Sequence, residues 1–425
     1  MKNVRIHTVI LLAILSLISI SYGQTGKKFL DYSLVGSISA ATPAKLNPFF
    51  VLDKSEVQKL LLDVAEMPRE RNFIENSLQN SDITTDDLIN LGLIKKSGNQ
   101  FLIGFPLFTK NDEGKIRQIS DIYARSLAES YVSRWNEFEA ILKKYPPKDV
   151  DRKDLAYILL GCFSLDWDGL VLTAEKKYRI TSREQPGGNR YSLWAKEKSD
   201  LSLKEIYWGS TTDITNNVAS TTFGDYLSLP RNAFPDLSFR LYDGLKTVDA
   251  PNSLKPFLVR AGAYSIDRLT SQINGAMFAL RDAPKTSAEL SNILDLDPKE
   301  TDNLLSLLVE LEYIGKTGEL YSIKIPVLTQ KDKELVENLL KVSRAVMNEW
   351  IAANYDKIKN SLKEITPLKY GISFEDLFTE IWHYVFGMTN RVLVEKDVFA
   401  NPYAENRKYK GFVPAIWDVT LTKLP

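Results

Sequence analysis

LGLIKKSGNQFLIGFPLFTKND, residues 91–112, returns 220 positions later as LEYIGKTGELYSIKIPVLTQKD, residues 311–332, with 8 of 22 positions identical. Each copy ends an apolar face, turns through Lys-Ser-Gly-Asn or Lys-Thr-Gly-Glu, and resumes with alternating apolar residues up to a proline. Glycine in the turn and a period of two are hairpin signals, and proline ends the pairing because it has no N–H to donate.

Outward from the second copy, Ile273, Met277 and Leu280 stand at helical spacing. Thr286 with Glu289 forms a capping box, which opens a second helix running to about Leu294. Asp297 as cap, Pro298 at the first helical position and Glu300 in the first turn open a third. Leu304, Leu305, Leu308 and Leu311 line one face of it. In the first copy Thr84 with Asp87 starts the third helix, with Leu88, Leu91 and Ile94 on its face.

Helix, helix, helix and a two-stranded wing is the order of a winged helix-turn-helix domain. Thr286, Glu289, Leu290, Leu294, Leu305, Leu308, Leu311, Ile314 and Tyr321 together resemble the pattern of the ArsR and MarR type of bacterial regulators. The resemblance covers about 60 residues and implies a fold more than a function. It also implies a third helix that reads DNA, and here the chemistry departs from it. Residues 298–313 hold Lys299 against Glu300, Asp302, Glu310 and Glu312, and residues 84–94 hold Asp86 and Asp87 with no base. Base edges are read by Arg, Lys, Asn or Gln, and strong binders make about 6–10 phosphate contacts. Lys95, Lys96 and Lys316 in the wings are too few.

The duplication runs past the wings. Residues 115–145 and 333–365 read as long amphipathic helices, the first with Ile119, Ile122, Leu127, Tyr131, Trp135, Phe138 and Leu142 on its face. Asp151 with Asp154, and Ser373 with Asp376, then cap one further helix in each copy. Each copy closes in aromatic, strand-like sequence around residues 177–197 and 406–418. The expected class is therefore mainly α with small β-hairpins (α+β), as two tandem winged-helix-like units. Each unit is followed by a long amphipathic helix and a small helix/strand subdomain. The expected boundaries are a signal peptide over 1–23, an N-terminal linker over 24–46 and a first unit over 47–208. A connector follows over 209–256, with some fixed structure from Phe223, Tyr226, Leu227, Leu229 and Phe234, and a second unit over 257–425.

Lys2 and Arg5, then an apolar run from Val9 to Ile20, then Ser21 and Gly23, have the layout of a cleavable export signal. A run of twelve residues, two of them serines, falls short of the roughly 20 that span a bilayer as a helix. Cleavage near Gln24 leaves 52 basic against 54 acidic residues, a net charge of −2 that steers the protein toward no polyanion. The expected location is periplasmic or secreted.

Of the ordinary globular composition, 44% apolar and 25% charged, two counts are restrictive. Cys162, the only cysteine, excludes an internal disulfide and sits in AYILLGCFSL as a buried thiol. His383 is the only histidine left after the signal, so zinc sites of several His or Cys ligands are excluded and no cofactor is expected. Asp166-Trp167-Asp168-Gly169 reads as a turn, and acid pairs such as Asp86/Asp87 and Asp295/Asp297 as helix caps rather than a glycosidase pair.

The candidate site residues are Glu380 and His383, three apart on one helix face, and Trp194, Trp208 and Trp417 from the aromatic ends. A carboxylate and an imidazole at that spacing can share a proton or a metal. The aromatics can equally present a surface or close each unit's core. The function these residues predict is an exported, non-catalytic interaction or scaffold protein, with a protein or small-ligand partner in the cell envelope. The alternatives are an ArsR/MarR-like DNA-binding regulator and a carboxylate-dependent hydrolase of the envelope.

Overall fold

The structure, a computed structural model, describes residues 28–174, 185–199, 206–225 and 263–421. The signal at 1–23, the strand-like residues 177–184 and the connector residues Tyr226, Leu227, Leu229 and Phe234 lie outside the described residues.

The chain is α+β, with mainly helical elements and several small sheets. The first copy runs β1 (Leu30–Ser37), α1 (Pro48–Leu52), α2 (Ser55–Glu66), β2 (Arg69–Glu70), α3 (Arg71–Ser77) and α4 (Thr85–Asn90). A hairpin β3 (Ile94–Ser97) and β4 (Gln100–Ile103) follows, then β5 (Leu107–Phe108), α5 (Lys110–Ser133) and α6 (Trp135–Leu142). The next helix, α7, begins as Arg152–Ala156, continues in π geometry as Tyr157–Asp168 and ends as Gly169–Ala174; β6 (Arg190–Glu197) closes the copy. The second copy runs β7 (Gly209–Thr215), β8 (Val218–Gly224), α8 (Ala263–Leu280), α9 (Ser287–Leu294) and α10 (Pro298–Glu310). Its hairpin is β9 (Ile314–Thr317) and β10 (Leu320–Ile323), followed by β11 (Val327–Leu328), α11 (Lys333–Ser361), α12 (Phe374–Glu395) and β12 (Phe412–Asp418).

Local chemistry sets the boundaries where the sequence says it should. Thr84 with Asp87 and Thr286 with Glu289 form reciprocal capping boxes, and the Asp297 side chain accepts from Lys299 N. Gly98 and Gly318, at φ +61 and +60, turn the two hairpins through the left-handed region that glycine tolerates. The long helices carry boxes of the same kind, Thr109 with Asp112 and Thr329 with Asp332.

The sheets repeat as faithfully as the helices. In one, β6 lies between β1 (antiparallel) and β5 (parallel); in the other, β12 lies between β8 (antiparallel) and β11 (parallel). Leu107 faces Ala195 and Val327 faces Ile416, and the backbone bonds Ala195 N to Pro106 O (2.9 Å) and Ile416 N to Pro326 O (3.0 Å) coincide. Two boundaries shift as a result. β1 begins in the stretch read as an N-terminal linker, and β7 and β8 lie in the stretch read as a connector. β1 and β8 take partners from far along the chain, while β7 and β8 also form a local hairpin through the left-handed Asn216-Asn217 turn.

The copies are interlocked. The most extensive helix packing joins α5 to α12, the long helix of one copy to the last helix of the other, and α11 crosses α7 in the reciprocal contact. A small core of α1 to α4, the first hairpin and the Tyr191, Leu193 and Ala195 face of β6 stands beside one large core. That large core contains α5 to α7 together with the second copy. Several polar side chains inside it are satisfied across the copies. Tyr131 Oη lies 2.5 Å from Ser343 Oγ, which also accepts from Ser164 Oγ at 2.6 Å. Tyr145 donates to Val327 O at 2.7 Å while its oxygen accepts from Val327 N at 2.9 Å.

Three further expectations change. The first long helix starts at Lys110, where the Thr109–Asp112 box caps it, and breaks at Arg134, whose φ of −108 and ψ of 15 leave the helical region. Ile122 is 58% exposed, since the buried stripe runs through Ile116, Ser120, Ala124, Leu127, Ala128 and Tyr131. Asp166 to Gly169 is helix and not a turn. Asp166 is buried, with its carboxyl held well above the usual range by burial, and Asp168 pairs with Arg344 Nε at 2.7 Å. Residues 152–173 are long and apolar enough to cross a membrane, yet they are mostly buried within the protein.

The Tyr145 hydroxyl serves both polar groups of one Val327 peptide, whereas Arg281 Nε reaches only its carbonyl. Tyr145→Phe is therefore expected to destabilise the protein by about 1–3 kcal/mol, the cost of a buried amide left unpaired. In urea, both cores should still unfold in one transition. A variant as stable as wild type would show that the contact does not hold the copies together.

Candidate functional site

Three of the five candidate residues converge where β6 of the first copy crosses α12 of the second. On β6, Tyr191, Leu193 and Ala195 turn to the small core, so Trp194 and Lys196 turn to the large one. The Lys196 ammonium forms an ion pair with Glu380, whose side chain is 8% exposed against 20% for Lys196. It also lies 4.7 Å from the Tyr384 ring centre and 5.3 Å from that of Trp208, within cation–π range of both.

Helical spacing stacks the remaining groups. Glu380, His383 and Tyr384 occupy positions i, i+3 and i+4 of α12, on one face. His383 Nδ1 lies 2.9 Å from Thr379 O and 3.7 Å from Glu380 Oε2. A carbonyl only accepts, so Nδ1 carries the proton in that bond and Nε2 keeps its lone pair. The Trp208 ring meets Tyr384 edge-on at 4.9 Å and His383 at 5.8 Å. Gly387 admits this segment: Tyr207 N donates to Gly387 O at 3.1 Å, and a Cβ on Gly387 would stand 2.6 Å from Ile206 Cγ2. Behind the rings, Glu113 accepts from Tyr384 Oη (3.3 Å) and from Ser199 Oγ (2.8 Å).

The charge states follow from these neighbours. Burial works to lower the Lys196 pKa, but the Glu380 carboxylate and Tyr384 outweigh it and raise the value, so the ammonium persists. Burial lowers that of His383, aided by Lys196 and opposed by Glu380, so the imidazole is neutral at pH 7. Tyr384 is raised by burial and stays a phenol. Glu380 is thus occupied by a cation that cannot leave without stranding a buried charge. Among the described residues no group of three or more His, Cys, Asp or Glu side chains converges as metal ligands.

The other two tryptophans lie apart from this cluster. Trp194 is half-buried, two residues along the same face of β6. Trp417 is fully buried, 4.8 Å from Phe163 and 5.5 Å from Trp167, and donates Nε1 to Thr221 Oγ1 at 2.9 Å. Sequence reading missed Lys196, Tyr384, Glu113 and Ser199. The one available signal was in RYSLWAKE, where a lysine shares a strand face with an inward tryptophan.

Removing one partner of a buried ion pair strands the other, so Lys196→Ala and Glu380→Ala are each expected to cost about 3 kcal/mol. The double variant Lys196→Met/Glu380→Leu should return close to wild-type stability in urea unfolding. Single variants that cost no more than the double would refute the pairing. Because the folded His383 pKa is depressed, its contribution is complete above the ordinary value of 6.5 and is lost as pH falls below it. Stability measured at pH 7.5 and 5 should fall more for wild type than for His383→Gln, and equal losses would contradict the neutral, buried imidazole.

Comparison with protein-family models, with curated proteins and with solved structures found no match to this chain.

Proposed function

We propose that this chain is an exported, non-catalytic interaction protein, built from two winged-helix-like units that meet protein or small-ligand partners in the cell envelope. The order α8, α9, α10, hairpin in one copy and α2, α3, α4, hairpin in the other supports the winged-helix reading. The observation that carries the functional reading is the state of the third helix. In α10, Glu300 pairs with Arg268, Asp302 accepts from Ser287, and the C-terminal end is covered by the chain itself. Lys408 Nζ and Tyr409 Oη both donate to Glu310 O, and Lys408 N donates to Glu312. In α4, Asp86 pairs with Arg71 and Asp87 with Lys45. A helix that spends its polar groups on its own chain, with acids outermost, is suited to protein contacts and repels a polyanion.

The Lys196–Glu380 cluster fits the same reading as a strut. Its ionic groups satisfy one another, which favours a fixed framework over proton transfer.

Cell fractionation should find the chain in the envelope or medium with a mature N-terminus near Gln24. The purified protein should leave duplex DNA unshifted at about 50 mM salt, where nonspecific binding is strong. An intact Met1 on a cytoplasmic protein, or a salt-dependent shift, would overturn the proposal.

A further inference from the structure

A second polar site lies away from the strut, where the second copy's hairpin meets the C-terminal segment. A cavity of about 100 Å³ is lined there by Glu312, Lys324, Arg407, Tyr409 and Phe412 among others, with Asp154 of the first copy at its wall. Arg407 is held in place: one guanidinium nitrogen pairs with the buried Asp154, and Nε donates to Asn401 O at 3.0 Å. Lys324 is exposed and, among the described residues, has no ion-pair partner.

Duplication supplies an internal control. Glu312 and Lys324 stand where the first copy has Gly92 and Gly104. There the two glycines pack backbone to backbone, and a Cβ on Gly104 would lie 2.3 Å from Gly92 O. The backbone at this point is left-handed in both copies, φ +68 at Gly92 and +62 at Glu312. Of the five non-glycine residues with positive φ among the described residues, the other four are Asn or Asp, which tolerate that region. Glu312 alone has no such excuse, and glycine would relieve it. A strained side chain kept on the rim of a cavity is the pattern of a functional constraint.

We propose that this cavity binds a small monocarboxylate with an apolar or aromatic body, its carboxylate on Lys324 and beside the fixed Arg407, its body against Tyr409 and Phe412. Glu312 on the rim disfavours a second negative charge, which restricts the class to monoanions. Free carboxylic acids and the C-terminal residue of a peptide share this chemistry. The inference rests on the interaction reading only in that it names the partner's chemistry. That reading is tested by location and DNA binding, so a failed titration removes this site alone.

Calorimetric titration of the full mature chain with phenylacetate, and with an N-acetylated tripeptide ending in Phe, tests the site. At least one should bind saturably below about 10 mM, a modest affinity for so small a contact. Tighter binding of phenylacetate would identify free acids as the ligand, and tighter binding of the tripeptide would identify chain termini. The tripeptide's C-terminal amide should bind at least about tenfold more weakly if the tripeptide binds, and Lys324→Ala should weaken either ligand by the same factor. Lys324 is exposed, and glycine suits the backbone at 312, so Lys324→Ala and Glu312→Gly should both fold, as far-UV circular dichroism will verify. Glu312→Gly should let a dicarboxylate such as succinate bind as well as the monoanion. Absence of binding by both probes, or binding indifferent to Lys324→Ala, would overturn the proposal.

Discussion

Neither copy can bury its own last helix. In the strand order β1-β6-β5 and its counterpart β11-β12-β8-β7, β6 and β12 are packed on both faces, and one of those faces meets the partner copy's helix. β6 therefore covers α12, while β12 covers α7. Apolar area removed from water is the dominant favourable term in folding, so the exchange makes the large core a joint product of both halves. The polar groups drawn into that core follow from it. Tyr145 at Val327, Tyr131 at Ser343 and Lys196 at Glu380 each find a partner in the other copy.

Equivalent positions in the exchange have diverged in an informative way. Phe108 on β5 stands opposite Lys196, and Leu328 on β11 stands opposite Trp417, so the lysine and the tryptophan occupy one slot of the repeat. Across from Lys196 lies Glu380; at the corresponding place in the first copy is Ile158, fully buried. One slot is filled by an ion pair roofed by rings, the other by an indole packed on Phe163 and Trp167. A buried ion pair adds little stability over a hydrophobic filling, since desolvation offsets most of its attraction. What it adds here is discrimination. If β6 packed on its own copy's α7, the ammonium would meet Ile158 and be buried without a counter-charge, which costs several kcal/mol.

Legibility in the sequence follows the range of the interactions. Capping boxes and glycine turns are set within four residues, so Thr84, Thr286, Gly98 and Gly318 announced their elements correctly. β1 and β8 pair with β6 and β12, far away in the chain, which no local pattern announces, whereas the β7–β8 hairpin turns on Asn216-Asn217, both left-handed, a local signal within the Ser/Thr-rich stretch. The π geometry of Tyr157–Asp168 is equally silent, because a run buried on every side has no amphipathic period to read. At the candidate site, Glu380 and His383 were legible as an i, i+3 pair on one helix. Lys196 and Glu113, by contrast, reach the site from 184 and 267 positions before Glu380. Spacing within a helix could point to the site and could not supply its countercharge.

The acidic third helices gain meaning from the same interlock. In α10 the last turn is closed by Lys408 and Tyr409, which belong to the loop leading into β12. That loop is in turn held by Arg407 on Asp154 of the first copy. The C-terminal end of α10 is therefore tied, through two hydrogen bonds and one buried ion pair, to the exchanged core. Releasing it would expose Asp154 without its cation and undo contacts that the core needs. Beside it lies the surface where a hairpin, the fixed Arg407 guanidinium and Lys324, without an ion-pair partner among the described residues, come together.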